Sequence, residues 1–149
     1  MATLQKFKDH FLLLLEAGFI AVSQADEDSA KKLFKASELL NPESSMPKIG
    51  EGYLHLHKLE LKQAAHLFEE VIKKEPHNEM AKAFLGISLG LNPKEADKGE
   101  KVLEQTIKES DDPGIKKLAH TTIDIVEKFV KKKPSPHEAG KQAKKHKSK

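Results

Sequence analysis

The residues of this chain that could do chemistry are its histidines, its paired carboxylates and one glycine-rich stretch. Eight His are present. His55 and His57 are two apart, so on a helix their rings point roughly 200° apart and cannot share an ion. His66, His77, His120, His137 and His146 show no ligand spacing. Leu85-Gly86-Ile87-Ser88-Leu89-Gly90 lacks the Lys and the strand context of a phosphate-binding loop. Glu69-Glu70 and Asp111-Asp112 suit solvated helix faces and helix caps better than a general acid and base. With no Cys in 149 residues, a disulfide scaffold, a thiol nucleophile and a thiolate zinc site are excluded. No nucleophile stands with a base, so the expectation is a protein that is not an enzyme and uses no cofactor or metal.

What remains for such a chain is binding, and charge narrows the partner. The formal net charge of +3 hides a split. Residues 131–149 hold eight Lys and one Glu, whereas residues 1–130 hold 18 basic and 22 acidic residues. All 26 basic residues are Lys. The absence of Arg weakens a nucleic-acid reading, because base and phosphate recognition leans on the forked guanidinium. The tail could still touch nucleic acid or anionic lipid by charge, but a solvated, solubilising segment is the simpler expectation. No apolar run approaches the roughly 18–20 residues that span a bilayer. Lys6, Lys8, the run Phe11 to Leu15 and Ser23-Gln24-Ala25 imitate a secretory signal. Glu16 breaks that run after five residues, and the repeats described next use it as structure.

The elements that would present a binding surface repeat along the chain. Gly18, Gly52 and Gly86 are spaced by 34, as are Ala30 and Ala64, Phe34 and Phe68, and Pro42 and Pro76. Asn41-Pro42 and Glu75-Pro76 are helix stops, since the residue before Pro is pushed out of helical space. Asp26 to Ser29 supplies the cap and acidic first turn of a helix running to about Leu40. Ala30, Leu33, Phe34, Ser37 and Leu40 then share one face, as do Ala64, Leu67, Phe68, Val71 and Ile72. The third unit drifts. Lys98 and Val102 stand where Ala and Phe are due, and Gly99, Leu103, Thr106 and Ile107 fit if the turn around Asn92-Pro93 gains one residue. Asp111-Asp112-Pro113 restarts a helix, and Ile115, Leu118, Ala119, Ile123, Val126, Phe129 and Val130 make the stripe of a capping helix.

These offsets resemble the tetratricopeptide repeat, a 34-residue helix–turn–helix unit. The resemblance implies an all-α superhelix over residues 1–132, with repeats at about 11–44, 45–78 and 79–112 and a cap at 113–132. Residues 133–149 form a Lys-rich tail, disordered by composition. In register with the family pattern, the concave groove is lined by Leu12, Leu15, Phe19 and Val22, by Met46, Ile49, Tyr53 and Leu56, and by Met80, Ala83, Ile87 and Gly90. An almost wholly apolar groove suits an amphipathic helix or an extended segment with apolar anchors. The same register puts Lys48, Glu51 and His55 between helices. A two-residue longer turn before Ala64 would instead rotate Met46, Ile49, Tyr53 and Leu56 into the core. Residues 11–22 are apolar nearly all round, through Phe11, Leu13, Leu14 and Ile20 as well. A helix of that kind at the end of an array must meet another chain, a second copy or the segment 1–10.

Glu16-Ala17-Gly18-Phe19-Ile20, Ala30-Lys31-Lys32-Leu33-Phe34-Lys35-Ala36 and Ile49-Gly50-Glu51-Gly52-Tyr53-Leu54 resemble the tetratricopeptide-repeat type III secretion chaperones, most of all the needle-subunit chaperone of chlamydiae, over about 4–130. That resemblance implies a cytoplasmic bacterial protein. Its groove would hold the amphipathic helix of the needle subunit and prevent premature polymerisation. A small helical co-chaperone would pack on Phe11, Leu13, Leu14 and Ile20. No nucleic acid and no membrane insertion are implied. The long Lys-rich tail departs from the needle chaperones, which end near the cap helix. A chaperone of translocator proteins, with short extended anchors in a similar groove, and a general repeat scaffold are the alternatives.

Overall fold

The computed structural model describes residues 2–131, and the segment 133–149 lies outside them. Among the described residues the chain is all-helical. The elements are α1 Ala2–Ser23, α2 Glu27–Leu40, α3 Met46–His57, α4 Leu61–Lys74, α5 Glu79–Gly90, α6 Ala96–Glu109 and α7 Pro113–Ile125, which runs into a π-helical turn, Val126–Val130. The boundaries follow local chemistry. Asp26 Oδ1 accepts from the Ser29 N–H at 3.1 Å, Asn78 Oδ1 from Ala81 N–H at 2.9 Å, and Asp112 Oδ1 from Gly114 N–H at 2.7 Å. Each satisfies an orphan donor of a first turn. Pro47 and Pro113 sit in the first turns of α3 and α7, where a missing N–H costs nothing.

The helices pair as α1–α2, α3–α4 and α5–α6, and α1, α3, α5 and α7 also touch in series. A repeating helical array results, and its interior follows the glycine–aromatic phase. The Phe34 ring lies between Gly18 of α1 and Gly50 of α3, and Phe68 lies against Gly52. Both rings are fully buried. The third unit uses Leu103 against Gly86, 35 residues after Phe68. Gly99, where Ala64 stands one unit earlier, packs directly on the Gly90 backbone. Lys98 is exposed and Val102 half-buried.

The extra residue has a backbone cause. Ala25 and Leu59, 34 apart, both turn the chain with positive φ, 58° and 57°. The next position in phase is Pro93, whose ring holds φ near about −65° and forbids that turn. Residues 91–95 therefore make a longer connection between α5 and α6 than 24–26 or 58–60 do in the first two units.

The core forms two clusters. One gathers Leu15, Ala21, Val22, Ala30, Phe34 and Leu54. The other gathers Ile49, Leu56, Ala64, Phe68, Val71, Ala81, Leu85 and Leu89. Exposed ion pairs also join the helices: Lys58 to Glu27 at 2.9 Å between the first two units, and Lys82 to Glu109 at 2.8 Å between α5 and α6 within the third. Such pairs fix register more than they add stability.

Candidate partner-binding groove

A cleft of about 640 Å³ opens along the series α1–α3–α5–α7. Phe19, Ile20, Ser23 and Gln24 line it from the end of α1, Met46 and Tyr53 from α3, Met80 and Phe84 from α5, and Leu118 from α7. None of these side chains carries a charge. Its floor is a chain of rings. Phe19 meets Tyr53 with centroids 5.4 Å apart, and Tyr53 meets Phe84 at 5.4 Å. Behind them Phe34 backs Phe19 at 5.3 Å, and Phe68 backs Phe84 at 5.5 Å. The backing rings are buried, so the lining rings are held by packing before any partner arrives. At the rim, His57 stands edge-on to Tyr53 at 4.5 Å.

The groove expectations divide by helix phase. Phe19, Met46, Tyr53 and Met80 come together in the cleft. Leu15, Val22, Ile49, Leu56 and Ala83 do not: all five are core residues, which corrects their assignment to the open surface, and Gly90 is buried too. The reason is angular. In each unit the first and third positions (12 and 19, 46 and 53, 80 and 87) lie near one line of the helix. The second and fourth (15 and 22, 49 and 56, 83 and 90) lie about 60–80° further round, against the second helix of the pair. Ile87 is half-buried and packs on the core. Leu12 is exposed but does not line the cleft. In the second unit neither alternative holds whole: Met46 and Tyr53 stay at the opening while Ile49 and Leu56 turn inward.

Helix α1 is covered on one side only. Leu12, Leu13 and Ile20 are 55 %, 62 % and 57 % exposed. Phe11 and Leu14 are half-buried, and Phe11 packs against the first core cluster, so it is a correction to the expected outer face. Ile20 serves both surfaces, since it also lines the cleft.

Of the polar residues that the register put between helices, Lys48 and His55 are paired. Lys48 reaches Glu70 at 3.0 Å, and His55 Nδ1 meets Glu60 Oε2 at 2.5 Å. Glu51 is half-buried, and its carboxyl is pushed up first by burial and then by the like charge of Glu38.

Phe84 and Leu118 were not expected in the groove. Phe84 stands four residues after Met80, on the same helix face. Leu118 joins it from α7.

The family model for a bacterial type III secretion protein (HrpB1_HrpK) matches residues 1–130. Neither the comparison with curated proteins nor that with solved structures finds a match. The matched stretch is the whole helical array, cleft and capping helix included, and the chain belongs to this type III secretion family.

Proposed function

We propose that this protein is a secretion chaperone of the tetratricopeptide-repeat type. Its cleft holds the amphipathic helix of the needle subunit and so blocks premature polymerisation in the bacterial cytoplasm. The observation that carries the reading is the uncharged cleft, lined from four helices and floored by pre-packed rings. A partner that fills it must bring a run of apolar side chains and little else. Met46 and Met80 add thioethers that adapt to the shape of such a partner. The 34-residue phase of Gly, Ala and Phe, with the odd-numbered helices in series, supports the tetratricopeptide superhelix. The exposed face of α1, with Leu13 and Ile20, is the docking site of a small helical co-chaperone. The role is binding, without catalysis.

The test is co-expression with the needle subunit and the candidate co-chaperone, then light scattering on the purified complex. A stoichiometric complex is expected. Tyr53→Asp removes the needle subunit and keeps the co-chaperone, whereas Leu13→Asp does the reverse. A clean homo-oligomer that takes neither chain overturns the reading in favour of a general scaffold. Capture of a translocator through a short extended segment favours the sibling class of chaperone.

A further inference from the structure

The last helix is attached to the array differently from the other six. Each of those buries at least one large side chain: Leu15 on α1, Phe34 on α2, Ile49 on α3, Phe68 on α4, Leu85 on α5 and Leu103 on α6. Helix α7 buries only Ala119 and Thr122, and Val126 follows in the π-helical turn. Polar contacts hold its two ends instead. At the start, Ser110 is buried. Its Oγ donates to Glu79 Oε2 of α5 at 2.8 Å and accepts from the Asp112 N–H at 3.1 Å. At the far end, Lys131 Nζ reaches Asp97 Oδ1 of α6 at 2.6 Å and Glu100 Oε2 of the same helix. The Glu100 side chain is only 13 % exposed, and its Oε1 is buried without a hydrogen-bond partner among the described residues. Lys131 is the cation that compensates this buried carboxylate. It also holds the Asp97 carboxyl below its ordinary value, first through their hydrogen bond.

We propose that α7 is a hinged wall of the cleft, pivoting at Ser110–Asp112 and latched shut by Lys131 on Asp97 and Glu100. Leu118 is the residue through which α7 lines the cleft. A swing of the helix carries that wall away and leaves Met80 and Phe84 open on one side. The helix moves as a unit, because its cap travels with it: Asp112 Oδ1 accepts from the Gly114 and Ile115 N–H groups of its own first turn. The pivot lies just before that cap, at an element end, where a few residues absorb a change of backbone angle. Ala119 and Thr122 offer little apolar area to resist separation. The cost of opening therefore falls on Val126, packed against Gly90, and on the latch. Without Lys131 the Glu100 carboxylate stays buried and uncompensated, and opening this end to water relieves it. The inference rests on the reading of the cleft as a partner groove, and it gives that groove a way to admit a segment too thick for the closed form.

The test is amide hydrogen exchange of the full chain, read by mass spectrometry with no partner present. In the parent chain the α7 amides should exchange about tenfold faster than those of α3, α4 and α5. Lys131→Gln should speed α7 by about a further tenfold and leave α1 to α5 at their parent rates. Lys131→Arg keeps a cation on both carboxylates and should stay near the parent rates. Asp97→Asn removes only the arm of the latch whose side chain is 86 % exposed. It leaves the fold intact and should speed α7 by about threefold. Unchanged α7 exchange in the two latch variants would overturn the proposal. So would equal acceleration of every helix, because α7 would then open only with the whole fold. If Lys131→Gln does not fold, the Asp97→Asn chain decides alone. No partner enters the measurement, so failure of the hinged wall and failure of the cleft as a partner groove are separate results.

Discussion

Gly18 and Phe34 fit one another like a slot and its filling: a Cβ on Gly18 would stand 2.5 Å from Phe34 Cε1. Such a distance is inside any real contact, and the fully buried ring has nowhere to move. Gly18→Ala is therefore expected to cost about 1–3 kcal/mol through overpacking. Phe34→Leu in the Gly18→Ala background should recover roughly 1 kcal/mol of it, because the two sites share one space. Urea titration of the single and double variants checks this. Gly114→Ala, at an exposed helix start, is the control.

The positive φ of Leu59 is a cost that a Cβ imposes. A left-handed residue is strained by about 1–2 kcal/mol when it is not Gly, and Gly returns part of that as lost chain entropy. Leu59→Gly is expected to raise stability by about 0.5–1 kcal/mol even though it deletes an apolar side chain. The Leu59 side chain is 71 % exposed, so little packing is lost with it. Ala25→Gly should act in the same direction. Thermal melts of both variants measure it.

Glu27 gives acid sensitivity a defined window. Its carboxyl is held at about 2, against an ordinary 4.5, by hydrogen bonds first from Lys31 and then from Lys58. A depressed carboxylate stabilises the fold fully above its ordinary value and loses that contribution as pH falls through about 2. Glu27→Gln should flatten this part of the acid dependence and leave the rest. Urea midpoints followed from pH 6 downward test the sign. The effect is small, because the pair is on the surface.

Core and cleft separate by mutation of one residue on α3 and one on α5. Ile49 is fully buried, and Ile49→Ala should cost about 2–5 kcal/mol of stability. Met80, across the cleft, is 37 % exposed. Met80→Ser should leave the melting temperature within a few degrees, yet weaken binding of the amphipathic helix proposed to fill the cleft. A variant pair in which stability and binding fall together would contradict the division of the helix faces.

The sequence by itself determined the repeating helical plan, the helix stops at Asn41-Pro42 and Glu75-Pro76, the caps at Asp26 and Asp112, and the extra residue near Pro93. These are local facts: a capping carboxylate, a missing N–H and a fixed φ act within a few residues, and small–aromatic spacing recurs wherever the same pair of helices must pack. Position along a unit also selected Phe19, Met46, Tyr53 and Met80. What only the tertiary structure decided is which side of each apolar helix stays open. Leu15, Ile49 and Ala83 are as apolar as Leu12, Met46 and Met80, and one turn of sequence does not tell them apart. A rotation of about 60° does, and that rotation is set by where the second helix of each pair lies. The same holds for Phe84 and Leu118, which become groove residues because α5 and α7 come into line with α1 and α3. It holds as well for the charge that Glu51 meets: the register put this residue between helices, but only the fold brings Glu38 near it.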